Sequence, residues 1–254
     1  MDWLRKLLFR LYWKAEAIIV PGLTSSQSSY YQTLRSIVPG AVWLDLGCGH
    51  QVFSDWMTKE QDEVVRSCKS LYGIDLDWVG LKAHPAISNK VFGDLTHLPF
   101  QADSMTVVTA NMVAEHLEEP ETVLREVHRV LAPGGVFVFH TPNYQGWPTR
   151  VGSSIPEGAK KILIRWLDGR REEDVFLTHY RMNTADEISR LAAQTGFAVE
   201  NINMVSTSAA TSMLGPVAWA ELLYIRSLRQ PKRAKRRSNI IATLRKKGLA
   251  PARA

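Results

Sequence analysis

Ala41-Val-Trp-Leu-Asp-Leu-Gly-Cys-Gly49 is the stretch that decides the fold. Its first six residues are an apolar run interrupted by one acid, Asp45. A short continuous apolar run reads as a strand buried on both faces, as in the centre of a parallel sheet. Gly47 and Gly49 then form a tight turn, where the missing Cβ lets a ligand approach the backbone closely. Downstream, Leu71–Ile74 is a second strand that ends at Asp75. An acid at that place can accept hydrogen bonds from both hydroxyls of a ribose. The third glycine of a dinucleotide fingerprint is missing, because Gln51 and Val52 follow His50. That argues against a pyrophosphate and for a nucleoside without one.

Working outward, the spacing of apolar residues predicts a helix over 53–67, short strands at 90–92, 105–110 and 136–140, and a helix over 120–131 stopped by Ala-Pro-Gly-Gly at 132–135. Strand and helix signals alternate, which implies βαβ units on a parallel sheet. Upstream, residues 2–19 read as an amphipathic helix with an apolar stripe of Trp3, Leu4, Leu7, Leu8 and Leu11 flanked by Arg5, Lys6, Arg10 and Lys14. A second helix is expected over 25–38, ended by Pro39-Gly40. Residues 144–182 are rich in Gly, Pro and aromatics, with a helix expected near 159–167. Thr184 caps a helix over 184–196, with Glu187 as its box partner and Gly196 as its stop. A strand over 197–207, a helix over 212–228 and a last strand over 238–244 complete the chain.

Five segments in order carry a resemblance: Trp43-Leu-Asp-Leu-Gly-Cys-Gly49, Gly73-Ile-Asp75, Gly93-Asp-Leu-Thr-His-Leu-Pro-Phe100, Ala110-Asn-Met-Val-Ala-Glu-His-Leu117 and Val130-Leu-Ala-Pro-Gly-Gly-Val136. The chain resembles the class I S-adenosylmethionine-dependent methyltransferases of the small-molecule type, bacterial and of unassigned substrate, from about Trp43 to Asn143. The resemblance implies an α/β, Rossmann-like fold. Its seven-stranded sheet would be mostly parallel with an antiparallel last strand, with helices on both faces and a lid from the N-terminus and the insert after strand five. It implies one methyltransferase domain over 1–254: a helical cap (1–40), a cofactor-binding core (41–143), an acceptor-side insert (144–182), and C-terminal helices and strands (183–254). The cofactor would be S-adenosyl-L-methionine, leaving as S-adenosyl-L-homocysteine, with no metal expected. By position, Asp45, Gly47, Cys48 and Gly49 would line its amino-acid end, Cys48 as a small buried filler rather than a nucleophile. Asp75, with Leu76 beside it, would hold the ribose, and Asp77 is the alternative. Asp94 would accept from the adenine amino group, with the Leu95 amide opposite a ring nitrogen. Asn111 and Met112 would sit beside the methionine portion.

Candidate bases are His140 at the end of strand five, His116 at the start of a helix, and His179. Tyr144, Tyr180 and Arg181 are expected on the acceptor side. The insert holds Trp147, Trp166, Phe176 and Tyr180 among Arg165, Arg170, Arg171 and Arg181, a mixture that suits an anionic or glycosylated acceptor as well as a self-packed lid. The expected reaction is methyl transfer to an oxygen of a small-molecule, sugar or lipid-linked acceptor. An RNA or protein methyltransferase and a non-catalytic cofactor-binding module are the alternatives. Against the first, Asn111-Met-Val-Ala stands where an Asn-Pro-Pro-Tyr-like motif would be needed.

Composition sets the frame. In 254 residues, 45% are hydrophobic and 22% charged, which excludes disorder throughout. The net charge of +6 is unevenly spread. From Leu222 onward there are 11 Lys and Arg and no Asp or Glu, which leaves 20 basic and 25 acidic side chains before it. A mildly acidic body with a basic tail disfavours a nucleic-acid partner. Two cysteines, Cys48 and Cys68, fit a reducing, cytoplasmic setting. No signal peptide or membrane-spanning helix is expected. The N-terminal helix and the basic run Arg229–Arg237 suit peripheral contact with an inner membrane face. The helix near Val217–Ile225 suits that contact or a homodimer.

Overall fold

The computed structural model describes residues 2–154, 177–208, 211–212 and 216–248. The helix expected near 159–167, and with it Trp166, Phe176, Arg165, Arg170 and Arg171, lies outside these. Seven strands form one mixed sheet in the order β3-β2-β1-β4-β5-β7-β6, with the last strand antiparallel, as the resemblance implies. They are β1 (Val42–Leu46), β2 (Ser70–Asp75), β3 (Asn89–Phe92), β4 (Met105–Asn111), β5 (Leu131–Pro142), β6 (Phe197–Val205) and β7 (Asn239–Lys246). The helices are α1 (Asp2–Ile19), α2 (Ser26–Ile37), α3 (Thr58–Ser67), α4 (Trp78–Ala83), α5 (Pro120–Val130), α6 (Trp147–Ser154), α7 (Ala185–Gln194) and α8 (Pro216–Ser227).

The described residues divide into two compact units. One takes those of 27–141, 178–203 and 240–254, and so holds most of the sheet. Its β1 is buried at Trp43, Leu44, Asp45 and Leu46, and lies parallel between β2 and β4. β2 continues the sheet to β3 on one side, and β4 continues it to β5 on the other. The strand order therefore reverses between β1 and β4. A ligand of an open α/β sheet sits outside the carboxyl ends of the strands at such a switch point.

The other unit takes the described residues of 1–26, 142–177 and 204–239. Its core packs Tyr12, Ala15 and Val20 of the α1 segment against Ala218, Leu222 and Ile225 of α8. Buried Glu221 accepts from the Tyr12 hydroxyl at 3.3 Å and from the Thr211 hydroxyl at 2.5 Å. Asn143 is fully buried here, and its Nδ2 donates to the carbonyls of Lys235 (2.9 Å) and Arg237 (2.6 Å). The basic run is thus a braced 3-10 turn, Pro231–Arg236, and not a loose loop.

Three differences from the expected elements have local causes. The helix expected over 53–67 is a 3-10 turn, Asp55–Met57, followed by α3. β5 begins at Leu131 and runs through Ala-Pro-Gly-Gly. The register jumps there, with Met105 opposite Leu131 and Val107 opposite Val136, so the glycines form a bulge inside the strand. α4 has no apolar period of its own, and is instead started by its N-cap, Asp77, which accepts from the Val79 amide at 3.0 Å.

Candidate active site

The site grows from two turns that cross at the carboxyl ends of β1 and β4. After β1, Gly47 and Gly49 have φ of 57° and 51°, conformations that favour glycine. The Gly47 amide donates to the Ile74 carbonyl at 2.8 Å and the Gly49 amide to Asp75 Oδ2 at 2.7 Å. After β4, Met112 has φ of 59°, held by its amide donating to the His140 carbonyl at 2.8 Å. A Cβ placed on Gly47 would lie 2.6 Å from Val113 Cγ2, while one on Gly49 would meet only open space. One glycine therefore lets the turns touch, and the other leaves room beside the backbone.

Asp75 is braced for a ligand. Its Oδ2 takes the Gly49 amide and its Oδ1 the Asp77 amide, each at 2.7 Å, so the carboxylate is fixed at the end of β2. Each oxygen keeps a second lone pair, which suits the two donors of a ribose diol. Asp77 serves as the α4 cap. Asp94 Oδ1 accepts from the Thr96 amide at 2.9 Å, which fixes an exposed carboxylate beside Leu95. The apolar side chains of Leu76, Phe92 and Met112 are exposed on this edge. Acids for hydroxyl and amino donors, an open glycine and exposed apolar side chains suit an adenosyl group.

Asp45 and Cys48 are placed differently from Asp75. Both are buried. Asp45 Oδ1 accepts from the Thr109 hydroxyl at 2.5 Å, and the same hydroxyl accepts from Trp43 Nε1 at 2.7 Å. Burial, with the Asp75 carboxylate nearby, pushes the Asp45 carboxyl up to about 7. Burial likewise raises the Cys48 thiol far above its usual value, which suits a packing role.

Asn111 is the hub of a network. Its Oδ1 lies 2.8 Å from His140 Nδ1 and 3.2 Å from Gln27 Nε2. Its Nδ2 donates to Gln27 Oε1 at 3.1 Å and to the Val52 carbonyl at 2.9 Å. An acceptor-only oxygen facing Nδ1 puts the imidazole proton there. His140 is fully buried against the Tyr30 ring, and burial pulls it down to about 4, so it is neutral near pH 7. Sequence reasoning did not reach Gln27, Tyr30 or Thr109. Their only signal was a regular apolar stripe in α2 and a Thr inside a strand.

The other two histidines gather at the 3-10 turn Ala114–His116. The amides of His179 and Tyr180 both donate to the Glu115 carbonyl, at 2.8 and 3.1 Å. Arg181 donates to the Glu118 carbonyl at 2.7 Å. Tyr180 adopts φ of 52° to make this docking. His116 Nε2 lies 3.9 Å from the Oε1 of buried Glu115, whose Oε2 accepts from the Thr141 hydroxyl at 3.0 Å. Burial raises the Glu115 carboxyl, and His116 opposes that. Tyr144 belongs to the unit of α1 and α8 and is exposed.

Comparison with known proteins places this arrangement. Residues 28–202 match the family model described as a methyltransferase domain. A ubiquinone biosynthesis O-methyltransferase of Psychrobacter arcticus is 30% identical over 186 residues, 69% of this chain and 66% of that protein. A probable S-adenosylmethionine-dependent methyltransferase of Mycolicibacterium smegmatis is 30% identical over 134 residues, 49% of each chain. The matches thus span about half to two thirds of these relatives' lengths. Among solved structures, an S-adenosylmethionine-dependent methyltransferase of Mesorhizobium loti superposes with a TM-score of 0.55 at 19% identity, over 87% of this chain and 98% of that one. The structural likeness shows the shared fold, and the family match covers well over half of the chain, so the chain belongs to the methyltransferase-domain family.

Proposed function

We propose that this chain transfers the methyl group of S-adenosyl-L-methionine to an oxygen of a small-molecule, sugar or lipid-linked acceptor. The observation that carries the reading is Asp75, held by two backbone amides at the carboxyl end of β2, the strand next to β1 in a methyltransferase sheet. The cofactor supplies an electrophilic methyl group, so the chain contributes mainly alignment and exclusion of water. Asp75 would hold the ribose and Asp94 the adenine amino group. The open backbone at Gly49 and the side chain of Met112 would border the methionine portion. Relatives named as O-methyltransferases favour an oxygen acceptor.

An oxygen acceptor must lose a proton, and His116 is the base we assign. Its imidazole is part-exposed, and Glu115 stands where it would stabilise the cation formed by taking that proton. His179, docked on the same turn, would help line the acceptor side with Tyr180 and Arg181. His140 is buried with Nδ1 directed to Asn111, which suits positioning of Asn111 better than proton transfer.

Calorimetry with S-adenosyl-L-methionine, followed by methyl-labelled cofactor and a panel of hydroxyl acceptors, tests the reading. Binding that is lost in Asp75→Ala, and labelled product whose rate falls roughly 10²–10⁴-fold in His116→Ala, are expected. No cofactor binding, or binding indifferent to Asp75→Ala, overturns it.

A further inference from the structure

One face of the unit built on α1 and α8 carries none of the residues assigned above to the cofactor. α1 turns Tyr12 and Ala15 inward, yet large apolar side chains beside them stay exposed. Trp3 is 70% exposed, Leu11 51% and Ile18 78%. Across from it, α8 exposes Trp219 (56%) and Leu223 (58%). These side chains belong to one surface, because Leu11 and Trp219 both line an apolar groove of about 390 Å³ between the helices. Leu7 lies one turn before Leu11, and Leu223 one turn after Trp219, so the apolar strip continues from both rims. Solvent-facing tryptophan and leucine in such a strip mark an interaction surface.

The exposed charged side chains described on α1, on α8 and in the turn after α8 are basic. Lys6, Arg10 and Lys14 project from the exposed side of α1, and Arg226 from α8. Exposed Arg229, Lys232, Arg233, Lys235 and Arg236 follow directly. Arg229 donates to the Pro21 carbonyl at the end of α1, and Asn143 anchors the 3-10 turn behind it, so these cations are held beside the helix pair. The acids of α1 and α8 whose side chains are described both point inward. Glu221 is buried with Tyr12 and Thr211, and Glu16 accepts from the Ser208 hydroxyl.

We infer that the α1/α8 face docks on an anionic lipid surface, with Trp3, Leu11, Trp219 and Leu223 entering the headgroup boundary and the lysines and arginines meeting lipid phosphates. An apolar strip with indole rings, edged by basic residues, is the composition of a helix lying in a membrane interface. The basic run adds attraction that scales with anionic lipid and falls with salt. A second copy of the chain fits poorly as the occupant, since it would press like charges together. No helix among the described residues is long and apolar enough to cross a membrane, so the contact is peripheral. The inference stands independently of methyl transfer.

Co-sedimentation of the full chain with vesicles tests it. Neutral phosphatidylcholine vesicles are compared with vesicles containing about one-third phosphatidylglycerol, at low and high salt. Pelleting with the anionic vesicles alone, weakened by salt, is expected, with a blue shift of tryptophan emission. The charge variant Lys6→Glu/Arg10→Glu/Lys14→Glu and the apolar variant Trp219→Ser/Leu223→Ser should each weaken vesicle binding roughly tenfold or more. Each variant is accepted as folded when its circular dichroism spectrum and urea midpoint match wild type. Should a charge variant fail to fold, Lys232→Glu/Arg233→Glu on the exposed turn replaces it. Absence of salt-sensitive binding to anionic vesicles overturns the inference, as does binding unchanged in the folded variants. So does a dimer that the same substitutions split while vesicle binding persists, because the face is then a self-interface.

Discussion

At Gly47 one missing Cβ holds two turns together. Alanine there would be strained at φ of 57° and would press on Val113. Gly47→Ala is expected to cost about 2 kcal/mol and to weaken cofactor binding, read by urea denaturation and calorimetry. Asp75→Ala removes a carboxylate that two amides hold in place. Losing charge-assisted bonds to a diol is expected to cost about 3 kcal/mol of cofactor affinity, roughly a hundredfold. Asp45 makes a prediction in pH. Its folded-state carboxyl, at about 7, lies above its unfolded value of 3.8, so folding favours the protonated form. That stability is full below the unfolded value and is lost as pH rises through about 7. Asp45→Asn keeps an oxygen for Thr109 and removes the ionisation. Its stability relative to wild type should rise by on the order of 2 kcal/mol between about pH 5 and about pH 8, measured from urea midpoints. The glycines, Asp75 and the burial of Asp45 within an apolar strand were legible from their order along the chain. The hydrogen-bond partner of Asp45 was not, because Thr109 comes from a strand that pairs with β1 from 64 residues away.

At the scale of elements, local signals worked where the chain makes its own contacts. α7 begins where Thr184 and Glu187 exchange bonds, the Glu187 amide to Thr184 Oγ1 at 3.2 Å and the Thr184 hydroxyl to Glu187 Oε2 at 2.9 Å. Thr184→Ala should lower stability by about 1 kcal/mol, seen as a shifted urea midpoint with an unchanged slope. Signals failed where a neighbour decides. Ala-Pro-Gly-Gly reads as a helix stop, and does end α5, but pairing with Met105 draws Leu131 into β5 as well. The basic run Arg229–Arg237 shows no local sign of its bracing, which comes from Asn143 Nδ2 donating to the Lys235 carbonyl from 92 residues earlier.

Across the whole molecule, chemistry and surface fall in different units. Asp75, Asp94, Asn111 and His116 belong to the unit holding most of the sheet, and the exposed cationic, apolar face belongs to the unit of α1 and α8. Substitutions that share no partner act nearly additively. Trp219→Ser/Leu223→Ser should therefore leave cofactor affinity within about twofold by calorimetry, and Asp75→Ala should leave vesicle pelleting unchanged. The net charge of +6 takes its meaning from this division, since its basic excess lies largely in one braced segment and one helix face. Sequence by itself determined the βαβ order, the glycine turn and Asp75, because these rest on local backbone demands and on apolar runs that any neighbouring strand would bury. Tertiary structure alone decided that His140 is a buried neutral partner of Asn111, that His116 lies beside a buried Glu115, and that Glu16 and Glu221 turn inward. Each of those depends on which distant groups share a desolvated space, and desolvation, unlike periodicity, leaves no mark on the chain that experiences it.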